Sequence, residues 1–282
     1  MMKTLLDIIV KLGSVDRRVI FLIIALVVFL PLIFPVGLTI KPTDTTRRSF
    51  EAVDELKEGD NFLMSFEYGP STKPEVNPMA VAVLNHAFRK NLRVYITCLW
   101  PDGQFMAQDV LAEVLPDYDK VYGEDYVLLG YRPGNEAVVK GIESNIKGLY
   151  TVDYANTLID EIPMMQDVNS LSDIDMVFSF SAGYPGTVEW VQYGCDPAGV
   201  KLSTGVASIQ VNEILPYENA GQVLGIIAGM PGAAEYETMI GKKGFGTSGM
   251  DAQSVAHLVI VLFIVLGNAT YFIERKRSQK TY

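Results

Sequence analysis

From residue 61 onward, hydrophobic positions come in short unbroken runs separated by amphipathic stretches. FLMSFEY (62–68), LRVYITCLW (92–100), YVLLGY (126–131) and DMVFSFS (175–181) read as strands, and VASIQV (206–211) reads as a fifth. Nearly continuous apolar runs of this length suit strands covered on both faces, as in a parallel sheet. Between them the period lengthens. After Asn77, read as a helix cap with Pro78 in the first helical position, Ala80, Val83, Leu84, Ala87 and Phe88 share one face. Met106, Val110, Leu111 and Val114 align in the same way, as do Val138, Val139, Ile142, Ile146 and Leu149. Strand, turn and helix repeated four times predict a Rossmann-like, doubly wound α/β domain with a mainly parallel sheet.

Proline and glycine mark the end of each of the four strands, as YGP, WPDG, GYRPG and GYPG. Tight strand-to-helix corners favour both residues, so four such turns express geometry before they express chemistry. None has the glycine spacing of a dinucleotide fingerprint or of a phosphate-binding P-loop. Residues 221–240 carry Val223, Ile226, Ile227 and Met230 at helical spacing and read as a helix kinked at GMPG. Residues 41–60 read as a short lead-in helix, 147–172 as an insertion covering one edge, and the glycine-rich 241–252 as a flexible linker.

The two ends differ from the middle. Residues 19–40 are 22 in number with no charge, and VAHLVIVLFIVLGNATYFI (255–273) has 19 residues. Both lengths suit membrane spans. The first run exceeds a signal-peptide core and lacks a small-residue cleavage site, so it reads as an anchor, with Pro31 and Pro35 loosening its exit. Lys3, Lys11, Arg17 and Arg18 precede the first run, and Arg275, Lys276, Arg277 and Lys280 follow the second. Basic flanks stay in the cytoplasm, so the expectation is a two-pass cell-membrane protein with both termini inside. The layout becomes a cytoplasmic segment 1–18, a transmembrane helix 19–40, an extracytoplasmic domain 41–250, a second transmembrane helix 254–273 and a basic cytoplasmic tail 274–282.

Eight of the 23 basic residues and three of the 33 acidic ones lie in the tails, so the segment between carries 15 basic against 30 acidic residues. A formal charge near −15 argues against nucleic acid as a partner and against docking on anionic lipid. The expected partners are the bilayer, through two spans, and other membrane or envelope proteins. Cys98 lies in an apolar run, where a buried free thiol is the simplest reading; an oxidising compartment would allow a bridge to Cys195.

In an open α/β sheet, ligands bind beyond the carboxyl ends of the strands. Glu67 and Asp102 could form a carboxylate pair there, or be separate solvated loop acids. Ser181 follows a strand but lacks the spacing of a nucleophile elbow, and the one histidine between the runs, His86, is expected to face solvent or a flank. Tyr68, Trp100, Tyr131, Arg132 and Tyr184 could line a small-solute cleft, with Arg132 equally able to pair with Glu67 or Asp102. No metal site or cofactor is expected, since one histidine and two distant cysteines lack ligand spacing. Gly229 and Gly232, with His257 and Asn268 in the second run, are the candidate partner contacts. The role expected from these residues is a non-catalytic accessory or assembly subunit of an envelope or transport complex. The alternatives are a hydrolase-like enzyme or a solute-binding domain.

Overall fold

Asn61–Glu67 (β1), Arg93–Cys98 (β2), Tyr126–Tyr131 (β3) and Met176–Ser181 (β4) are strands whose side chains alternate between two buried faces. Both faces carry buried apolar residues, which is why these four runs are legible. A computed structural model describes residues 10–11, 15–38 and 40–279. In it these strands, with Lys201–Val206 (β5) and Ile226–Ala228 (β6), form one parallel sheet in the order β3-β2-β1-β4-β5-β6. Thr39–Gly246 form one compact unit, and the terminal segments up to Leu38 and from Thr247 form another.

Helices cover both faces, as a doubly wound Rossmann-like sheet requires. Asp44–Asp54 (α2), Lys73–Arg89 (α3), Pro101–Val114 (α4) and Gly229–Met239 (α7) bury Val53, Met79, Val83, Val110 and Tyr236 against Phe62, Phe66 and Phe178. On the other face, Glu136–Ser144 (α5), the helical segment opening at Thr187–Trp190, and Val211–Asn219 (α6) bury Val139, Trp190 and Ile214 against Leu63, Val127 and Val177. The insertion lies on this second face. It consists of short helical turns that bury Ile159, Met165 and Leu171. Cys98 belongs to the first core and Cys195 to the second, so the sheet separates them and both are free thiols.

Several expectations change. The fifth strand is Lys201–Val206, and the run read as that strand folds as a short turn leading into α6. Within 221–240, Ile226–Ala228 is a strand and only Gly229–Met239 is helical, so this segment is a sixth strand–turn–helix unit. Helix α3 begins at Lys73 because Pro74 stands at its start; Asn77 is not its cap, and Pro78 lies inside it. His86 is buried, because α2 and α7 cover the outer side of α3. Its Nδ1 lies 2.9 Å from the Tyr236 hydroxyl and its Nε2 3.3 Å from Asp54 Oδ1, with Phe50 stacked on the ring. The glycine-rich linker is partly ordered: Glu237 accepts from Gly244 N and Gly246 N.

The expectation of two flanking spans, and with it the two-pass topology, is overturned. Among the described residues one helix is long and apolar enough to cross a membrane, and it is the C-terminal one, Phe245–Ser278 (α8). The N-terminal helix, Arg17–Ile33 (α1), has 17 residues and is roughly 25 Å long at 1.5 Å per residue, short of a hydrocarbon core of about 30 Å. Pro35 drives Phe34 out of the helical region, so the apolar run continues while the helix does not. With a single candidate span, the paired basic flanks no longer place both termini on one side. The partner expectation is corrected likewise to one apolar helix for the bilayer. Lys3, Asp7, Thr39 and Lys280 lie outside the described residues. The chain is thus a membrane-associated, parallel α/β domain with one apolar helix.

Candidate functional site

The strand order reverses between β1 and β4, which pair with Glu67 opposite Ser181 and Ser65 opposite Ser179. One register row places a hydroxyl on each of the four central strands: Thr97 pairs with Ser65, Ser65 with Ser179, and Ser179 with Thr204. Buried hydroxyls need partners, and this row finds them within itself and from above. The Ser179 Oγ lies 3.1 Å from Thr187 Oγ1, which lies 2.7 Å from Thr204 Oγ1. Thr204 Oγ1 donates in turn to the Ser179 carbonyl at 2.9 Å. Thr97 meets the hydroxyl of Tyr150.

Glu67 stands at the centre of this network and is 0% exposed. Ser65 Oγ donates to its Oε1, Ser179 Oγ donates to Oε2 at 2.9 Å, and Trp190 Nε1 donates to Oε1 at 3.2 Å. Desolvation outweighs these donors, with the Glu189 carboxylate adding a smaller push, and raises the Glu67 carboxyl to about 8. A protonated, sealed carboxyl can hold strands together by donating to a hydroxyl.

The GYPG corner closes the crevice above. Trp100 Nε1 donates to the Pro185 carbonyl at 2.8 Å, and its ring lies against Gly183, where a Cβ would sit 3.2 Å away. A Cβ on Gly186 would stand 2.1 Å from Ser181 Oγ, and Gly186 N donates to Glu189 Oε2 at 2.7 Å. At the strand ends a cavity of about 40 Å³ lies beside Ser181, Tyr184 and Glu189.

The other expected site residues are dispersed. Asp102 is exposed in the first turn of α4, and among the described residues no hydrogen bond joins it to Glu67 or Ser181. Ser181 Oγ donates to the Gly183 carbonyl at 3.1 Å. Arg132 donates to the carbonyls of Tyr131 and Val152 and stacks 5.0 Å over the Tyr150 ring, so neither Glu67 nor Asp102 is its partner. Tyr68 is buried in the first core and donates to Asn77 Oδ1 at 2.9 Å, while Tyr184 is 62% exposed and donates to Glu136. Tyr131 is half-buried at the end of β3. Gly229 and Gly232 are buried: a Cβ on the first would stand 2.0 Å from Ser208 Oγ, and on the second 3.0 Å from Ile227. Both glycines serve close packing inside the domain. His257 and Asn268 are exposed on α8, eleven residues apart and hence within about 20° of each other around the helix. Among the described residues there is no cluster of metal-ligating side chains.

A larger cavity lies elsewhere, about 360 Å³ between α3, the end of α4 and α7. It is lined by Lys73, Asn77, Glu113 and Glu237, with Val81 and Phe245 among its apolar walls. Sequence reasoning missed it because its polar residues come from three helices far apart in the chain. The one local signal, Asn77 beside Pro78, reads as a helix cap. No protein-family model matches the chain, and no curated protein matches it in sequence.

Proposed function

We infer that this protein is a non-catalytic accessory or assembly subunit of a membrane complex. The observation carrying the reading is the packing of the topological switch point. The carboxylate that would serve an enzyme there, Glu67, spends its hydrogen-bonding capacity on Ser65, Ser179 and Trp190, and Trp100 bolts the GYPG corner across the crevice. Catalytic groups need a concave site in which they converge on a reacting atom. Glu67, Asp102 and Ser181 do not converge, which disfavours the hydrolase alternative. Tyr68, Trp100, Arg132 and Tyr184 likewise point into the core, the corner, a loop and solvent, which disfavours an aromatic cleft at the strand ends.

The partner-facing surface in this reading is α8, where His257 and Asn268 share a stripe and bracket an apolar run. Polar side chains in such a helix gain from hydrogen bonds to a neighbouring one. The test is purification of the tagged full-length protein from its native membrane in two mild detergents. A stoichiometric companion is expected, with its recovery falling several-fold for the double variant His257→Leu, Asn268→Leu. A solitary protein in both detergents, or hydrolytic turnover abolished by Glu67→Gln, would overturn the reading.

A further inference from the structure

The 360 Å³ cavity is large enough for a compact organic ligand and carries a definite chemical sign. Two carboxylates face it, Glu113 from α4 and Glu237 from α7. Glu113 makes no hydrogen bond or ion pair among the described residues; burial and then the neighbouring Glu237 charge raise its carboxyl above the usual range, against smaller opposing pulls from Lys242 and Lys73. The cation on the same wall is already engaged: Lys73 Nζ lies 2.6 Å from Asp109 Oδ2. A smaller cavity of about 130 Å³ adjoins, sharing Val81, Glu113 and Glu237. There Lys242 is held 2.5 Å from Asp117, and Lys243 lines the smaller space only.

An independent feature also points to a ligand. Asn77 is 9% exposed, and its Oδ1 accepts from Tyr68, while its Nδ2 carries no hydrogen bond among the described residues. If the amide were turned over, the tyrosine hydroxyl would accept from Nδ2 and leave Oδ1 without a partner. Either way one end of a buried amide is left for the cavity. The remaining walls are apolar, from Pro74, Pro78, Val81 and Phe245.

The geometry points to a binding site for a small organic amine with an apolar body. Its ammonium lies against Glu113 in the field of Glu237, a polar substituent meets the Asn77 amide, and its carbon frame packs on Pro78, Val81 and Phe245. An ammonium next to two like-charged carboxylates relieves their repulsion, and a charge-assisted hydrogen bond gives it direction. The same chemistry could arrive as a soluble amine or as an amine-bearing lipid headgroup.

The test uses isolated full-length protein in detergent, so it does not depend on any companion. Calorimetric titration with 2-phenylethylamine should give saturable one-to-one binding, and 2-phenylethanol, of similar shape and neutral, should give none. Glu113→Gln should weaken amine binding about tenfold or more. Val81→Trp, which fills the cavity from a half-buried position, should abolish binding while leaving the melting temperature close to wild type. Repeating the titration in nanodiscs with and without phosphatidylethanolamine assigns the source: competition marks a lipid headgroup, and unchanged affinity marks a soluble amine. Absence of saturable amine binding, equal binding of the alcohol, or affinity unchanged in both variants would overturn the assignment.

Discussion

Glu67 shows how one residue's role depends on a partner that sequence does not bring near it. Its place at a strand end was legible. Trp190, whose indole donates to both Ser65 Oγ and Glu67 Oε1, stands over 120 positions away and gives no local sign. The consequence can be measured. Glu67 is raised from an ordinary 4.5 to about 8, so between these values the folded state holds a proton that the unfolded chain has released. Stability from this group is therefore fully present below about pH 4.5 and is lost as pH rises through 8. The integrated effect is at most roughly 5 kcal/mol, taking 1.36 kcal/mol per pKa unit. The melting temperature of the wild type should fall from pH 5 to pH 8.5, and Glu67→Gln, which cannot ionise, should show a markedly flatter profile. Parallel profiles for the two proteins would mean that Glu67 is not the group responsible. Trp190→Phe removes the indole donor from both oxygens and should cost about 1–3 kcal/mol at pH 5, read by denaturant unfolding.

At the scale of elements, the legible strands were those with apolar residues on both faces, β1 to β4. Strand β5 was displaced because KLSTGV spends its middle on Ser203, Thr204 and Gly205. The hydroxyl of Thr204 belongs to the buried row, and at Gly205 a Cβ would stand 2.9 Å from the Met79 sulfur. Strand β6 is three residues long, too short for alternation to register, and its flanking valine and methionine fall by chance at helical spacing. The N-terminal run failed for a different reason: hydropathy reports how far the apolar residues extend, whereas Pro35 decides how far the helix does. The corner after β4 rewards the same attention to backbone. In Gly186→Ala the new methyl would lie 2.1 Å from Ser181 Oγ and 2.3 Å from the Gly183 carbonyl, with backbone on one side and a buried hydroxyl on the other. Overpacking of this kind costs about 1–3 kcal/mol. In a domain of this size that lowers the melting temperature by roughly 2–12 °C. A variant melting within a degree of wild type would show that the corner can shift, and that the closure by Trp100 is loose.

At the scale of the whole molecule, one candidate span rather than two makes a topological statement that chemistry can check. If α8 alone crosses the bilayer, everything before it lies on one side, including Lys11, which precedes α1, and Arg47 in α2. Residues after it, such as Gln279, lie on the other. The chain suits the experiment because its native thiols are silent. Cys98 and Cys195 are both buried, and desolvation raises both well above the ordinary thiol range, so neither presents a thiolate to a reagent in water. Single replacements Lys11→Cys, Arg47→Cys and Gln279→Cys can then be probed in sealed vesicles with a membrane-impermeant maleimide. Lys11→Cys and Arg47→Cys should behave alike, and Gln279→Cys should show the opposite response, whichever way the vesicles face. Labelling of Lys11→Cys together with Gln279→Cys, and apart from Arg47→Cys, would mean that the short N-terminal helix crosses the membrane after all. The wild type should stay unlabelled until detergent and denaturant unfold it, since its two thiols lie in cores on opposite faces of one sheet.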